Sequence, residues 1–349
     1  MSMRRNPPRL ILPVIVAVLW LPAPGCASPL PDPPAPVVVE PPAHTGFRYH
    51  PTGPVVRPTP ATPSDVRPWL APELSVSPDQ PLEGTAVGVH ISLPENGREP
   101  LSMEVELAGR PVRIARTGDG WFGVGALPIG VTGSQLLIAR FEIRPDSVAE
   151  QLLPVTVAAR TFPATQLRVA ARFTNPPAEV LERIGQEREL IRGKLGQVSP
   201  EWLATSGFQW PRPPSFTSPF GQRRVFNGEL QSRHWGLDLQ GQEGMLVRAA
   251  AAGRVSLAGG FYYQGNAVYL DHGLGLFTGY FHLSHIEVKD GDLVQVGQVL
   301  GRVGATGRVT GPHLHWTLHV GRVSLDPASL MELENLPDAE PRVSDARTR

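Results

Sequence analysis

Two short stretches of this 349-residue chain bring together residue types suited to metal chemistry: His313-Leu314-His315, preceded by Thr310-Gly311-Pro312, and His234-Trp235-Gly236-Leu237-Asp238. Side chains on a strand alternate between faces, so His313 and His315 look into the same space. His234 and Asp238, four apart, can do the same if they too lie on a strand. A catalytic zinc ion takes three protein ligands and keeps its fourth position for water. Two histidines and one aspartate fill the three positions and leave a histidine over for proton transfer. Spacing alone does not decide which member of the His-x-His pair meets the metal. The arithmetic is that of a hydrolase.

Further motifs accompany the ligands in a fixed order. Ser218-Pro-Phe-Gly-Gln-Arg-Arg224 comes first, then His234-x-Gly-x-Asp238, then Tyr280-Phe-His-Leu-Ser284, then Gly304-Ala-Thr-Gly-Arg-Val-Thr-Gly-Pro-His-Leu-His315. From about Phe216 to Leu330 the chain resembles the lysostaphin-type (LytM-like) zinc endopeptidases, which cut peptidoglycan peptides. The resemblance assigns one zinc ion per chain to His234, Asp238 and His315, and makes His282 and His313 the catalytic histidines. It also implies stem or cross-bridge peptides of peptidoglycan as partners. One departure is visible: the family often places an aromatic residue and then Glu after the second histidine, whereas this chain has Trp316-Thr317. That Glu is not a metal ligand in the family.

The chemistry is consistent with these roles. Zinc lowers the pKa of a bound water to roughly 7, and histidine, with an ordinary pKa of about 6.5, can take that proton and pass one to a leaving amine. No His-Glu-x-x-His motif exists to supply a glutamate base. Nucleophilic routes fail as well: the single cysteine, Cys26, lies near the N-terminus, and no Gly-x-Ser-x-Gly elbow accompanies a triad. Gly304-Ala-Thr-Gly307 lacks the Lys-Ser/Thr ending of a phosphate loop. Among the other candidates, His272 is expected in a turn or behind the site, and His285 is read as structural. His319 shares strand parity with His315, and Tyr280 with His282. Arg223 and Arg224 are read as a solvated or salt-bridged pair, and Asn227-Gly228 as a turn.

The elements that must position these residues are mainly β. Residues 208–330, rich in short strands and punctuating glycines, are expected to form the β-rich peptidase domain. Before it, residues 166–207 read as a linker with one helix, because apolar residues recur at helical spacing from Pro177 to Leu195. Residues 68–165 alternate with period two at Val87, Val89, Ile91 and Leu93, at Leu101, Met103, Val105 and Leu107, and at Leu137, Ala139, Phe141 and Ile143. That pattern predicts an antiparallel β-sandwich, immunoglobulin-like in general shape. The polar tail 331–349 is expected to be disordered.

The N-terminal end reads as an export route. Arg4, Arg5 and Arg9 precede the apolar run Leu10–Leu21, the pattern of a signal peptide over 1–26. Pro24-Gly25-Cys26 resembles a lipoprotein processing site, which implies a membrane anchor through lipid on Cys26; ordinary cleavage near Ala27 is the alternative. A Pro-rich tether, 27–67, containing His44 and His50, follows. Formal net charge is zero, with no Lys/Arg cluster, so nothing suggests nucleic acid as a partner. The expectation is a zinc endopeptidase exported to the bacterial envelope, in the periplasm or at the cell surface. Its rival is a catalytically silent wall-binding or activator protein, against which stands the retention of all three ligands and both histidines.

Overall fold

A computed structural model describes residues 68–118, 120–167, 178–226, 229–334 and 336. The expected signal peptide, lipidation site and tether, Pro177, Asn227-Gly228 and residues 335 and 337–349 of the tail lie outside the described residues. The start of the tail is ordered, with Met331 and Glu332 closing a short 3-10 helix (Pro327–Glu332) and Leu333 buried. No helix among the described residues is long and apolar enough to cross a membrane.

The fold is mainly β. In the first half, the strands are β1 (Glu73–Ser77), β2 (Thr85–Ser92), β3 (Ser102–Leu107), β4 (Arg110–Pro111), β5 (Ile114–Arg116), β6 (Gly120–Leu127), β7 (Gly133–Arg144) and β8 (Ser147–Val157). They form two antiparallel sheets, ordered β1-β2-β6-β5 and β4-β3-β7-β8. Val87, Val89 and Ile91 from one sheet and Val105, Leu107, Leu137, Ala139 and Phe141 from the other share one core. These are the residues whose alternation predicts the sandwich.

One feature departs from a sandwich with solvated outer faces. Ala86, Phe122, Val124 and Ala126 point the other way from β2 and β6, and they are as buried as the residues facing inward. They join the large apolar core of the second half, packing with Leu239, Leu314, Trp316 and Leu318. Gly123 and Gly125 alternate with these apolar residues in β6. A Cβ on Gly123 would sit 2.3 Å from the carbonyl oxygen of Arg113, so only glycine permits the close approach of β5.

A short strand β9 (Ala164–Leu167) and helix α1 (Ala178–Leu195) follow. The helix lies where apolar spacing predicts it, and it buries only Ile184 and Leu195. The second half contains β10 (Phe216–Ser218), β11 (Arg223–Phe226), β12 (Glu229–Arg233), β13 (Leu237–Gln240), β14 (Leu246–Arg248), β15 (Gly253–Phe261), β16 (Gly265–Asp271), β17 (Leu276–Ile286), β18 (Leu293–Val294), β19 (Val299–Val303), β20 (His313–Val320) and β21 (Val323–Leu325). The central path runs β10-β13-β20-β17-β16-β15-β18. Strand β9 pairs in parallel with β11, which pairs antiparallel with β12.

Register decides what meets across the central sheet. Ser218 stands opposite Asp238, Asp238 opposite His315, and His315 opposite Phe281. One row across four strands therefore presents an aspartate and a histidine side by side on a single face. The neighbouring row, with Leu237 opposite Trp316 and Trp316 opposite Tyr280, turns inward to the core.

Candidate metal centre

His313 and His315 share a face of β20, as their spacing predicts. His234 arrives differently: it lies between β12 and β13, outside either strand, and the chain bends at Gly236 before β13 begins. That bend depends on Gly236, where a Cβ would lie 2.6 Å from the His315 ring and 2.7 Å from the carbonyl of Trp316. Glycine is thus what lets the chain pass against His315 and return with Asp238.

His234, Asp238 and His315 converge. His234 Nε2 lies 3.0 Å from Asp238 Oδ1 and 2.9 Å from His315 Nδ1, and the last two atoms are 2.7 Å apart. His234 and Asp238 are buried, and His315 is partly so. The His234 Nδ1–H donates to the Pro219 carbonyl at 2.9 Å, which leaves Nε2 with a lone pair directed at the other two atoms. Three donor atoms facing one another at such distances need a proton or a cation between them. Their triangle is slightly tighter than the edge of about 3.3 Å expected for a tetrahedron with bonds of roughly 2.0 Å. Nitrogen, nitrogen and carboxylate oxygen are the ligand types that zinc takes. The donor set fits a metal: among the described residues these three form a group that could hold one.

The Asp238 carboxyl is held well below the usual carboxylate range. Burial acts in the opposite direction, and the close contacts and charges of His234 and His315 outweigh it. Its second oxygen, Oδ2, meets Arg224 Nη2 at 3.3 Å. Of the expected arginine pair, then, Arg224 is salt-bridged to a ligand and Arg223 is exposed. Burial, with a smaller opposing effect from Asp238, takes His315 down to about 4.

His282 and His313 stand beside this group, with ring centroids 5.0 Å apart in an edge-to-face arrangement. The His282 Nδ1–H donates to the Thr306 carbonyl at 2.9 Å, and the His313 Nδ1–H to the Gly311 carbonyl at 2.8 Å. A carbonyl can only accept, so both rings present Nε2 as the free basic nitrogen. His313 Nε2 is 3.5 Å from Asp238 Oδ1. Burial, followed by the charges of His315 and His313, lowers His282 to about 3.

Parity counting from Tyr280 to His282 does not hold. His282 has φ of +63°, and β17 loses register with its neighbours at this point. The irregularity turns His282 to the same side as Phe281, whose ring stacks on His315 at 5.3 Å. Tyr280 stays on the other side, fully buried, its hydroxyl accepting from the Ala250 N–H at 2.9 Å.

His272, His285 and His319 are not part of the metal group. His272 is fully buried, donating Nδ1–H to Ala252 at 2.8 Å, with Nε2 2.7 Å from the Thr278 hydroxyl. His285 is exposed, 3.9 Å from Glu287. His319 sits along the same strand face as His315, within hydrogen-bond reach of Ser324 at 3.3 Å. It lines a cavity of about 430 Å³ between the central sheet and α1. Thr317, standing where the resemblance expects Glu, is buried, and its hydroxyl has no hydrogen-bond partner among the described residues.

Several contributors escape residue-type reasoning. The carbonyls of Pro219, Thr306 and Gly311 fix three imidazoles, and a carbonyl has no sequence signature. Ser218, 3.1 Å from His234 Nδ1, and Arg308, whose guanidinium lies 4.5 Å over the Tyr263 ring, fall inside the motifs but carry no signal of their own.

The fold and this group together define a β-sheet metallopeptidase-type domain. The chain belongs to peptidase family M23. Residues 232–327, which include all five candidate site residues, match the description Peptidase family M23. A solved structure described as a putative peptidase M23 from Pseudomonas aeruginosa is 30% identical, with a TM-score of 0.55, covering 72% of this chain and 96% of that one. DD-carboxypeptidase/endopeptidase Mpg of Neisseria meningitidis is 39% identical over 114 residues, 33% of this chain and 26% of that protein. Peptidoglycan DD-endopeptidase ShyC of Vibrio cholerae is 35% identical over 133 residues, 38% of this chain and 30% of that protein. The chain therefore spans less than a third of the length of these two curated relatives.

Proposed function

We propose that this protein is a zinc-dependent endopeptidase of the bacterial envelope that hydrolyses peptide cross-links in peptidoglycan. The observation that carries the reading is the triangle of His234 Nε2, Asp238 Oδ1 and His315 Nδ1, with the basic nitrogens of two further histidines beside it. The named activities of Mpg and ShyC supply the substrate class. Location in the envelope follows from that substrate and from the export pattern of residues 1–26. Lipid on Cys26 belongs to the same proposal, as do the sandwich, linker and peptidase domains with the boundaries expected from sequence.

Zinc held by His234, Asp238 and His315 would polarise the amide carbonyl and make hydroxide available near neutral pH. The protein's own part is proton handling and positioning. His313 is the more exposed of the two free histidines and suits proton traffic: its Nε2 takes a proton from the attacking water and returns one to the departing amine. His282 is kept neutral by burial, so its Nε2 accepts a hydrogen from that water and fixes the direction of attack. The Phe281 ring closes one side of His315 against solvent.

The test incubates the zinc-loaded protein with intact sacculi and with defined cross-linked muropeptides. New amine termini should appear, vanish on chelation and reveal the bond cut. His313→Ala should bind one zinc per chain and lose about 10²–10⁴-fold in rate. A folded, zinc-bound protein that releases no amine would move the assignment to a wall-binding or activator role.

A further inference from the structure

Arg224 meets a residue of the candidate metal centre, and Arg308 follows Thr306, whose carbonyl holds His282, by two positions; neither guanidinium is fully neutralised. Arg224 has five N–H donors. One of them meets Asp238 Oδ2 at 3.3 Å, while Nε is buried with no hydrogen-bond partner among the described residues. Its side chain remains about a quarter exposed. Arg308 is exposed, held flat over Tyr263 at 4.5 Å, with its backbone N–H bonded to the Tyr263 carbonyl at 2.9 Å. It forms no ion pair with an acid among the described residues. The two guanidiniums are close enough that the charge of Arg308 acts on Arg224. Among the described residues, Asp238 is the one carboxylate acting on His282 and His315.

The charge balance of this cleft is therefore lopsided in a chain with no net charge. With a divalent ion bound, two guanidiniums and a single carboxylate leave about +3 around the reacting position. Guanidinium matches carboxylate geometry through paired N–H donors, and an unpartnered buried donor is costly until a ligand satisfies it.

We propose that Arg224 and Arg308 form a subsite for a free carboxylate on the residue directly flanking the scissile amide. The distance sets the position. Arg224 touches the far oxygen of a carboxylate whose near oxygen belongs to the ligand triangle. A group reaching it thus lies beside the ligand triangle, within the reach of the residue next to the reacting amide. Arg308 is the selective member, and its aromatic platform holds the guanidinium in place. This inference rests on the peptidase reading for the word scissile, but the site itself is a property of binding.

The experiment measures binding rather than turnover. Zinc-loaded full chain carrying His282→Ala is titrated calorimetrically with synthetic peptides in matched pairs. Within a pair the two peptides share every atom except that one carries a free carboxylate beside the central amide and the other its carboxamide. One pair places the group on the acyl side and one on the amine side. In at least one pair the carboxylate form should bind about tenfold or more tightly. Adding Arg308→Gln should reduce that ratio to below about twofold, and Arg308→Lys should retain part of it. A merely structural role for Arg308 would weaken both members of a pair alike and leave the ratio intact. Equal affinities in both pairs, no measurable binding, or a ratio indifferent to Arg308→Gln overturns the proposal. Carboxylate-selective binding by a native protein that cuts none of the peptides would retain the subsite and count against the peptidase reading.

Discussion

His282 is a non-glycine residue at φ +63°, in the left-handed region that side chains with a Cβ adopt at a cost. The strain is offset by what it delivers, namely an imidazole turned out of its expected parity and pinned by the Thr306 carbonyl. A comparison of two truncations isolates it. His282→Gly and His282→Ala both remove the ring and should both abolish hydrolysis. In a regular strand the glycine variant is the less stable of such a pair. Here it should be more stable than His282→Ala by about 0.5–1 kcal/mol in chemical denaturation, because Ala keeps the strain and glycine does not. The reverse order would mean that the left-handed conformation is not held in solution. The same residue shows the limit of reading side chains from sequence. His234, Asp238, His313 and His315 were legible because ligand types at short spacings carry their meaning locally. The side on which His282 falls was not, because counting by twos assumes an unbroken strand. A salt bridge from the arginine pair was legible, but the partner of Arg224 was not: Asp238 is 14 residues away in a different sheet, and only the fold brings them together.

Strands were legible where one face is apolar, as at Val87, Val89 and Ile91, and the helix was legible from its apolar spacing. What the alternation could not show is that β2 and β6 are buried on both faces. In β2 the residues between the large ones are Ala86, Gly88 and His90, which read as small or polar rather than as core. A similar concealment surrounds His272, placed in sequence beside Asp271 and Gly273 as if in a turn. In the fold it is a buried link between β16 and β17, its two nitrogens engaged by Ala252 and Thr278, and the Thr278 and Tyr280 hydroxyls lie 3.0 Å apart. Burial lowers its pKa, with smaller opposing effects from Ala252 and Asp271. The unfolded chain therefore takes up a proton below about pH 6.5 that the folded chain refuses. Stability from this group is fully present above that pH and is lost as pH falls toward the lowered folded value. Melting temperature should drop between pH 7 and pH 5. His272→Gln should be less stable at pH 7 and show a shallower drop. A variant whose slope matches the native protein would assign the acid sensitivity to other histidines.

At the scale of the molecule, one apolar core runs from Ala86 and Phe122 through Leu239 and Trp316 to Leu330, so the two halves share buried surface. Polar contacts reinforce it: Arg160 pairs with Asp326 at 2.8 Å, and the Asp326 N–H donates to the Gly84 carbonyl at 2.7 Å. Metal binding should then be felt far from the ligands. An ion that binds only the folded state stabilises it by RT ln(1 + [L]/Kd), about 2.7 kcal/mol at a hundredfold excess over Kd. Without it, only a proton can sit between His234 Nε2, Asp238 Oδ1 and His315 Nδ1. Stripping the ion should therefore lower the melting temperature, and zinc should restore it. Asp238→Ala should bind zinc more weakly and recover less. Hydrogen exchange decides how far the effect travels. If the shared core makes the halves unfold together, zinc will slow the globally exchanging amides of β7 in the sandwich as much as those of β17 beneath the metal centre. Protection confined to β13, β17 and β20 would show instead that the ligand-bearing sheet opens independently. In that case the burial of Phe122 and Val124 against it would contribute little to cooperativity.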